Sequence, residues 1–215
     1  MTTVHVDIWS DIACPFCYIG KRNFESAVAA SDLDVEVTYR SFQLSPDMPD
    51  DAAGSHAEML AAKMGVGVEE ARGMEARTAG LAEQVGLDFD YDAVHPANTL
   101  AAHRLLHLAK AHGRQGEMKE RLMAAYFADG RHVGRTEELV EIAGEVGLDP
   151  DVVREALDSG AYADDVAQDV ARAAAYGIRG VPFFVLDARL AVSGAQPPEV
   201  FAQALAQAAG EEDAA

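Results

Sequence analysis

Hydrophobic residues in this chain change period several times. Val4, Val6 and Ile8 alternate with His5 and Asp7, and the run closes on Trp9. That period of two predicts a strand. Over residues 18–30, Ile19, Phe24, Ala27 and Val28 recur at helical spacing. Val35, Val37 and Tyr39 then alternate with Glu36, Thr38 and Arg40, predicting a second strand. A strand, a helix and a strand in that order form a crossover unit whose strands run parallel.

Residues 41–51 are irregular and hold Pro46 and Pro49. The pattern is helical from there to about residue 176. Ser55 and Glu58 make a capping box that opens a short helix. Met74, Leu81 and Val85 mark the face of a longer one, which Gly86 stops. Further helices are predicted over 98–111 and 117–128, from a cap at Thr136 to Gly147, from Asp149-Pro150 onward, and over 163–176. Strand patterns return only at 183–186 and 190–192, joined across Asp187-Ala188-Arg189 by a tight hairpin. Residues 198–209 read as a closing helix, and 211–215 are expected to fray. The predicted class is therefore α/β. Residues 1–50 and 161–215 form one sheet domain, interrupted by an all-helical insertion over 51–160.

Composition adds limits. The 215 residues are 49% hydrophobic and 25% charged, enough for a substantial core. The formal charge is −19, and the 17 lysines and arginines are scattered. Nucleic-acid and anionic-membrane partners, which need basic patches, are disfavoured. There is no apolar run of the roughly 18 residues that a membrane-spanning helix needs. The first residues show no positive stretch followed by an apolar one, so no secretory signal is expected and the cytoplasm is the expected location. A structural disulfide is not expected there, so a close cysteine pair points to catalysis or metal binding.

The only two cysteines form such a pair, in Cys14-Pro15-Phe16-Cys17. It sits at a strand-to-helix turn, the sequence mark of thioredoxin-like redox chemistry. The spacing lets both thiols meet across the first helical turn, with Pro15 at the first helical position. Free N–H groups and the helix dipole there favour an anionic sulfur, and thiolate is the nucleophile. Cys14 is expected to be the more exposed, attacking member. Cys17 is expected to be more buried and to resolve the mixed disulfide.

Other residues carry two readings each. Asp11 opposes a thiolate if it points inward; otherwise it is a solvated turn residue or a cap. Trp9 either flanks the pair or packs the core. His103 and His107 are spaced i, i+4 and, with Cys14 and Cys17, could supply four zinc ligands, but the cysteine pair is already explained without a metal. Met59, Met64, Met74, Met118 and Met123 either line an adaptable groove or, the better expectation, fill the core. Pro182, in Gly180-Val181-Pro182-Phe183, belongs at a strand start because it cannot donate a ladder bond.

These motifs together carry a resemblance. Cys14 through Lys21, with Gly177-Ile178-Arg179-Gly180-Val181-Pro182, resembles the DsbA-like thioredoxin superfamily. Phe42-Gln43-Leu44-Ser45-Pro46, Asn98 through Leu105 and Ser193-Gly194-Ala195-Gln196 are similar to its FrnE-type branch. The resemblance covers nearly the whole chain. It implies a thioredoxin-like fold with a large helical insertion and a cis Val181–Pro182 bond facing the cysteines. It also implies that Val181 pairs with an extended substrate. Val181, Pro182, Pro15 and Phe16 are then the substrate-binding residues. His103 and Arg104 match a family motif and are expected to pack the insertion helix against the thioredoxin domain rather than touch substrate.

The implied activity is thiol–disulfide exchange with a protein or small-molecule substrate, recycled by a cellular dithiol or low-molecular-weight thiol. It requires no flavin, nicotinamide or metal cofactor. A homodimer is the weak expectation for assembly. Strongly oxidising relatives carry histidine where this chain has Phe16, which implies a less oxidising pair here. Glutathione-dependent transferases of the kappa type and 2-hydroxychromene-2-carboxylate isomerases share the fold and are the alternative, although they typically carry serine at the position of Cys14. A client-binding module with incidental cysteines is the non-enzymatic alternative.

Overall fold

The computed structural model describes residues 3–212. The chain opens with β1 (Thr3–Ser10), α1 (Pro15–Ala29) and β2 (Asp34–Ser41). A run of helices follows: α2 (His56–Met64), α3 (Val68–Glu83), α4 (Leu100–Ala111), α5 (Gln115–Phe127), α6 (Thr136–Glu145), α7 (Pro150–Asp158) and α8 (Ala163–Ala175). It closes with β3 (Phe183–Leu186), β4 (Leu190–Ser193) and α9 (Pro198–Glu212). The sheet order is β2-β1-β3-β4. β1 runs parallel to β2, with Val6 opposite Val37, and antiparallel to β3, with Ile8 opposite Phe184. The architecture is a four-stranded mixed sheet with a block of helices inserted between β2 and β3.

The alternation in β1 has a direct structural meaning. Val4, Val6 and Ile8 pack with Phe24 of α1, Phe184 of β3 and Phe201 and Leu205 of α9. Trp9 points to the other face, beside Ala173, Ile178 and Val185, and its Nε1–H donates to the Asp169 carbonyl at 3.0 Å. Of the two readings of Trp9, the structure therefore shows core packing under α8. A second core fills the helical block, and Ile12, Cys14, Cys17, Tyr18 and Ile19 belong to it. The cysteine turn is thus built into the wall between sheet and helices.

Several predicted boundaries move for local reasons. α1 begins at Pro15, the first helical position expected from the cysteine motif and three residues before the periodic pattern. Arg135, in extended conformation, precedes α6, and Thr136 is its first helical residue rather than its cap. Asn98 lies before α4, and its Nδ2 donates to the carbonyls of Pro46 and Met48. α9 continues to Glu212, beyond the expected end. The fraying expected for 213–215 lies outside the described residues.

In the β3–β4 hairpin, Asp187 and Ala188 both take positive φ, 48° and 55°. Alanine in the left-handed region costs ~1–2 kcal/mol. Glycine there removes that strain but widens the unfolded ensemble, so Ala188→Gly is expected to add about 0.5–1 kcal/mol net. Urea unfolding checks this; a variant no more stable than the parent refutes it.

Candidate active site

The site starts from one helix end. Cys14 is the residue before α1, extended at φ −103° and ψ 112°, and Pro15 occupies the first turn. The Cys17 N–H donates to the Cys14 carbonyl at 3.0 Å. Both thiols are free. Both are also buried, Cys14 to 4% exposure and Cys17 to 2%. Cys14 is the more exposed of the two, as expected, but only by a little. The reason is long-range: the Cys14 Sγ–H points to the Val181 carbonyl at 3.8 Å, and Val181 packs on the same cluster as the pair. Phe16 instead projects outward.

The Val181–Pro182 peptide bond is cis. The Pro182 carbonyl accepts from the Gly194 N–H at 2.8 Å. An added Cβ at Gly20 would meet Pro182 Cγ at 3.0 Å and Ala195 Cα at 3.3 Å. Glycine at that position is what lets α1 approach this segment so closely. Sequence distance therefore hides a compact arrangement: Cys14, Cys17, Val181 and Pro182 meet, with Pro15 and Phe16 at the rim.

The two sulfurs titrate as a unit. The contact with Cys17 holds the Cys14 thiol well above the ordinary range, and burial and Asp11 push the same way. At Cys17 burial opposes the charge, but the contact from Cys14, the Lys119 ammonium, Ser10 and the Asp11 backbone outweigh it and pull the pKa down. One proton is thus shed readily and the second is strongly retained, with the charge resting toward the inner sulfur.

The chain from residue 5 to 206 matches the family model described as a DsbA-like thioredoxin domain. The chain belongs to the DsbA-like thioredoxin family. A crystal structure of a probable DsbA oxidoreductase from Streptomyces coelicolor is 46% identical, with a TM-score of 0.92, covering 97% of this chain and 91% of that one. An uncharacterized Bacillus subtilis protein, YwbO, is 28% identical, covering 94% of this chain and 96% of its own. The cytosolic disulfide reductase DsbM of Pseudomonas aeruginosa, 19% identical with a TM-score of 0.63 over 96% of this chain and 98% of that one, shares the fold.

In this DsbA-like chain Asp11 is not a solvated turn residue. It is 2% exposed, accepts from the Leu44 N–H at 2.8 Å, and meets His103 Nε2 at 3.2 Å. Burial works against its charge, but His103 and Leu44 win and hold its carboxyl below the usual range. His103 therefore ties α4 to the cysteine loop. His107 is engaged elsewhere, with Asp169 Oδ2 at 3.1 Å and Ser41 Oγ at 3.2 Å. The two rings have different partners, and no metal-sized cluster of His, Cys, Asp and Glu occurs among the described residues. Arg104 donates to the carbonyls of Ala156, Leu157 and Ala161, at and just beyond the C-terminal end of α7.

A cavity of about 500 Å³ opens beside Pro15 and Phe16. Met59, Met64 and Met74 line it, whereas Met118 and Met123 are fully buried in the core. The core-filling expectation thus holds for two methionines and is corrected for three. α2 and α3 leave one side open, which periodicity within a helix cannot reveal. The sequence reading also missed Lys119. It lies on α5 among Met118, Leu122, Met123 and Tyr126 at core spacing, and it is 1% exposed. A lysine at a core-periodic position was the available signal.

Proposed function

We propose that this protein is a thiol–disulfide oxidoreductase that cycles a Cys14–Cys17 disulfide through a mixed disulfide with its substrate. The observation that carries this reading is the Cys14–Cys17 pair at the start of α1, with the Val181 carbonyl against Cys14. In the reducing direction the Cys14 thiol gives up its proton to solvent and its sulfur bonds to one sulfur of a substrate disulfide, whose other sulfur leaves as a thiolate. The Cys17 thiolate then bonds to Cys14 Sγ and displaces the remaining substrate sulfur. Two electrons pass from the pair to the substrate, and protons exchange with solvent. Run backwards, a substrate dithiol reduces the pair. The electron balance closes between two dithiol–disulfide couples, so no flavin, nicotinamide or metal is called for.

Val181 offers backbone groups to an extended substrate, as an added strand would. Pro15, Phe16 and Pro182 frame that approach. Phe16 can neither hydrogen-bond nor carry charge, so the pair is less oxidising than one with histidine at that position. A cellular dithiol or low-molecular-weight thiol recycles it, in the cytoplasm. No described helix is long and apolar enough to cross a membrane.

The cavity beside Phe16 favours one second reading, a glutathione-dependent isomerase or transferase acting on a small apolar substrate. Redox titration against a defined thiol–disulfide buffer, followed by alkylation and mass, separates the two. A reversible two-electron transition of Cys14 and Cys17 is expected. A pair that forms no intramolecular disulfide at any poise, with glutathione-dependent turnover of an apolar substrate, defeats the first reading.

A further inference from the structure

Three buried side-chain polar atoms lack a hydrogen-bond partner of ordinary geometry among the described residues: Ser10 Oγ, His103 Nδ1 and Lys119 Nζ. All three belong to the surroundings of the cysteine pair. Ser10 ends β1 and lies close enough to Cys17 to favour its thiolate. His103 is tied to Asp11. Lys119 is the one that carries a full charge, and an unpaired buried ammonium is costly unless something compensates it.

Two clamps fix where Lys119 sits. One turn earlier in α5, the Gln115 side chain accepts from the Tyr39 N–H at 3.0 Å and donates to the Tyr39 carbonyl at 2.9 Å. One residue later, the Glu120 carboxylate accepts from the Tyr18 hydroxyl at 2.5 Å and from Lys21 Nζ at 2.5 Å, and also from Arg22. Lys119 is thereby held between β2 and the residue that follows Cys17. Its Nζ lies 5.9 Å from the Tyr39 ring centroid. The charges that act on it belong to Cys14, Cys17 and Lys21 of α1, Asp11 of the preceding loop and His103 of α4. Among the described residues no carboxylate pairs with it directly.

We propose that Lys119 is the counter-charge for the inner thiolate, a positioning residue through which the helical insertion sets the redox poise of the Cys14–Cys17 pair. This rests on the oxidoreductase reading and extends it. In the disulfide form there is no sulfur anion, and the ammonium stands uncompensated. On reduction the electron pair that breaks the S–S bond leaves negative charge on Cys17 beside the ammonium, and the remaining sulfur takes up a proton from solvent. Lys119 supplies no proton to either sulfur. Its pKa is consistent with this setting: burial pulls it down to about 8, with Cys17 the largest influence in the other direction. An ammonium in that place stabilises the reduced state relative to the disulfide, making the pair more oxidising than it would be alone.

Two variants test this. Lys119→Met keeps the length and removes the charge; Lys119→Arg keeps the charge. A coupling of about tenfold is expected between the ammonium and the thiolate. Lys119→Met then lowers the equilibrium constant for reduction by a reference dithiol about tenfold, a midpoint ~30 mV more negative. The first apparent pKa of the reduced pair, read by thiolate absorbance, rises by about one unit. Lys119→Arg stays near the parent in both. Midpoint and absorbance titrations of folded Lys119→Met that match the parent overturn the proposal.

Should Lys119→Met not fold, NMR titration of Lys119 Nζ in the unaltered protein carries the test. It is expected to titrate about one unit higher in the reduced form, by reciprocity, and equal values in both forms overturn the proposal. Absence of any intramolecular disulfide would sink the oxidoreductase reading separately. In that case the absorbance titrations of the reduced proteins still decide the role of Lys119.

Discussion

Cys17→Ser is expected to turn the protein into a one-way trap. The first step needs only the Cys14 sulfur, so a mixed disulfide with substrate still forms. The second step needs a sulfur at residue 17, one turn into α1. Serine oxygen cannot make the S–S bond, so the complex persists and turnover falls about a thousandfold or more, the scale seen when a nucleophile is removed. Cys14→Ser is expected to lose turnover equally but to accumulate no mixed disulfide. Non-reducing gels and intact mass after incubation with a disulfide substrate separate the two. The comparison is sharpened by the near-equal burial of the cysteines and by the charge resting toward Cys17. Accumulation by Cys14→Ser, with none by Cys17→Ser, would reverse the assigned roles.

What the sequence revealed and what it hid follow from the range of the forces involved. The strands at both ends were legible because one buried face imposes alternation, as Val4, Val6 and Ile8 show. The capping box of Ser55 and Glu58 was legible because all its groups lie within one turn. The cysteine motif was legible for the same reason. Asp11 was not, because its partner His103 lies 92 residues away and only packing brings them together. The concealment of Cys14 by Val181 spans 167 residues and could not be read locally. The methionines divided between core and cavity because the answer depends on which neighbouring helix is present. Lys119 is the instructive case. Its spacing was visible, but composition argued for a surface lysine, and the compensating anion is a sulfur that ionises only in the reduced protein.

His103→Leu is expected to be the most destabilising single change near the site. It would leave the Asp11 carboxylate buried with only the Leu44 N–H as a hydrogen-bond donor of ordinary geometry. Leaving a buried charged group without a hydrogen-bond partner costs about 3 kcal/mol. Asp11→Asn with His103→Leu removes the stranded charge, so the double variant should recover much of the loss; equilibrium unfolding of the two single variants and the double one measures that coupling. The same pair fixes a pH signature. Asp11 has its folded pKa depressed, because His103 and Leu44 outweigh burial. Its contribution is therefore present above the unfolded carboxylate value and lost as pH falls through the folded one. His103 is also depressed, because burial outweighs the pull of Asp11. The fold thus favours the neutral ring, and this contribution too is present above the ordinary histidine pKa of about 6.5 and declines below it. Both losses run toward acid. Stability should fall from pH 7 to pH 5 as the unfolded chain takes up the proton that folded His103 resists, then fall again below the carboxylate range. His103→Leu should flatten the first decline while leaving the protein weaker at every pH. A parent whose unfolding free energy is unchanged between pH 7 and 5, or a variant with an unaltered slope there, would contradict this account of how α4 holds the cysteine loop.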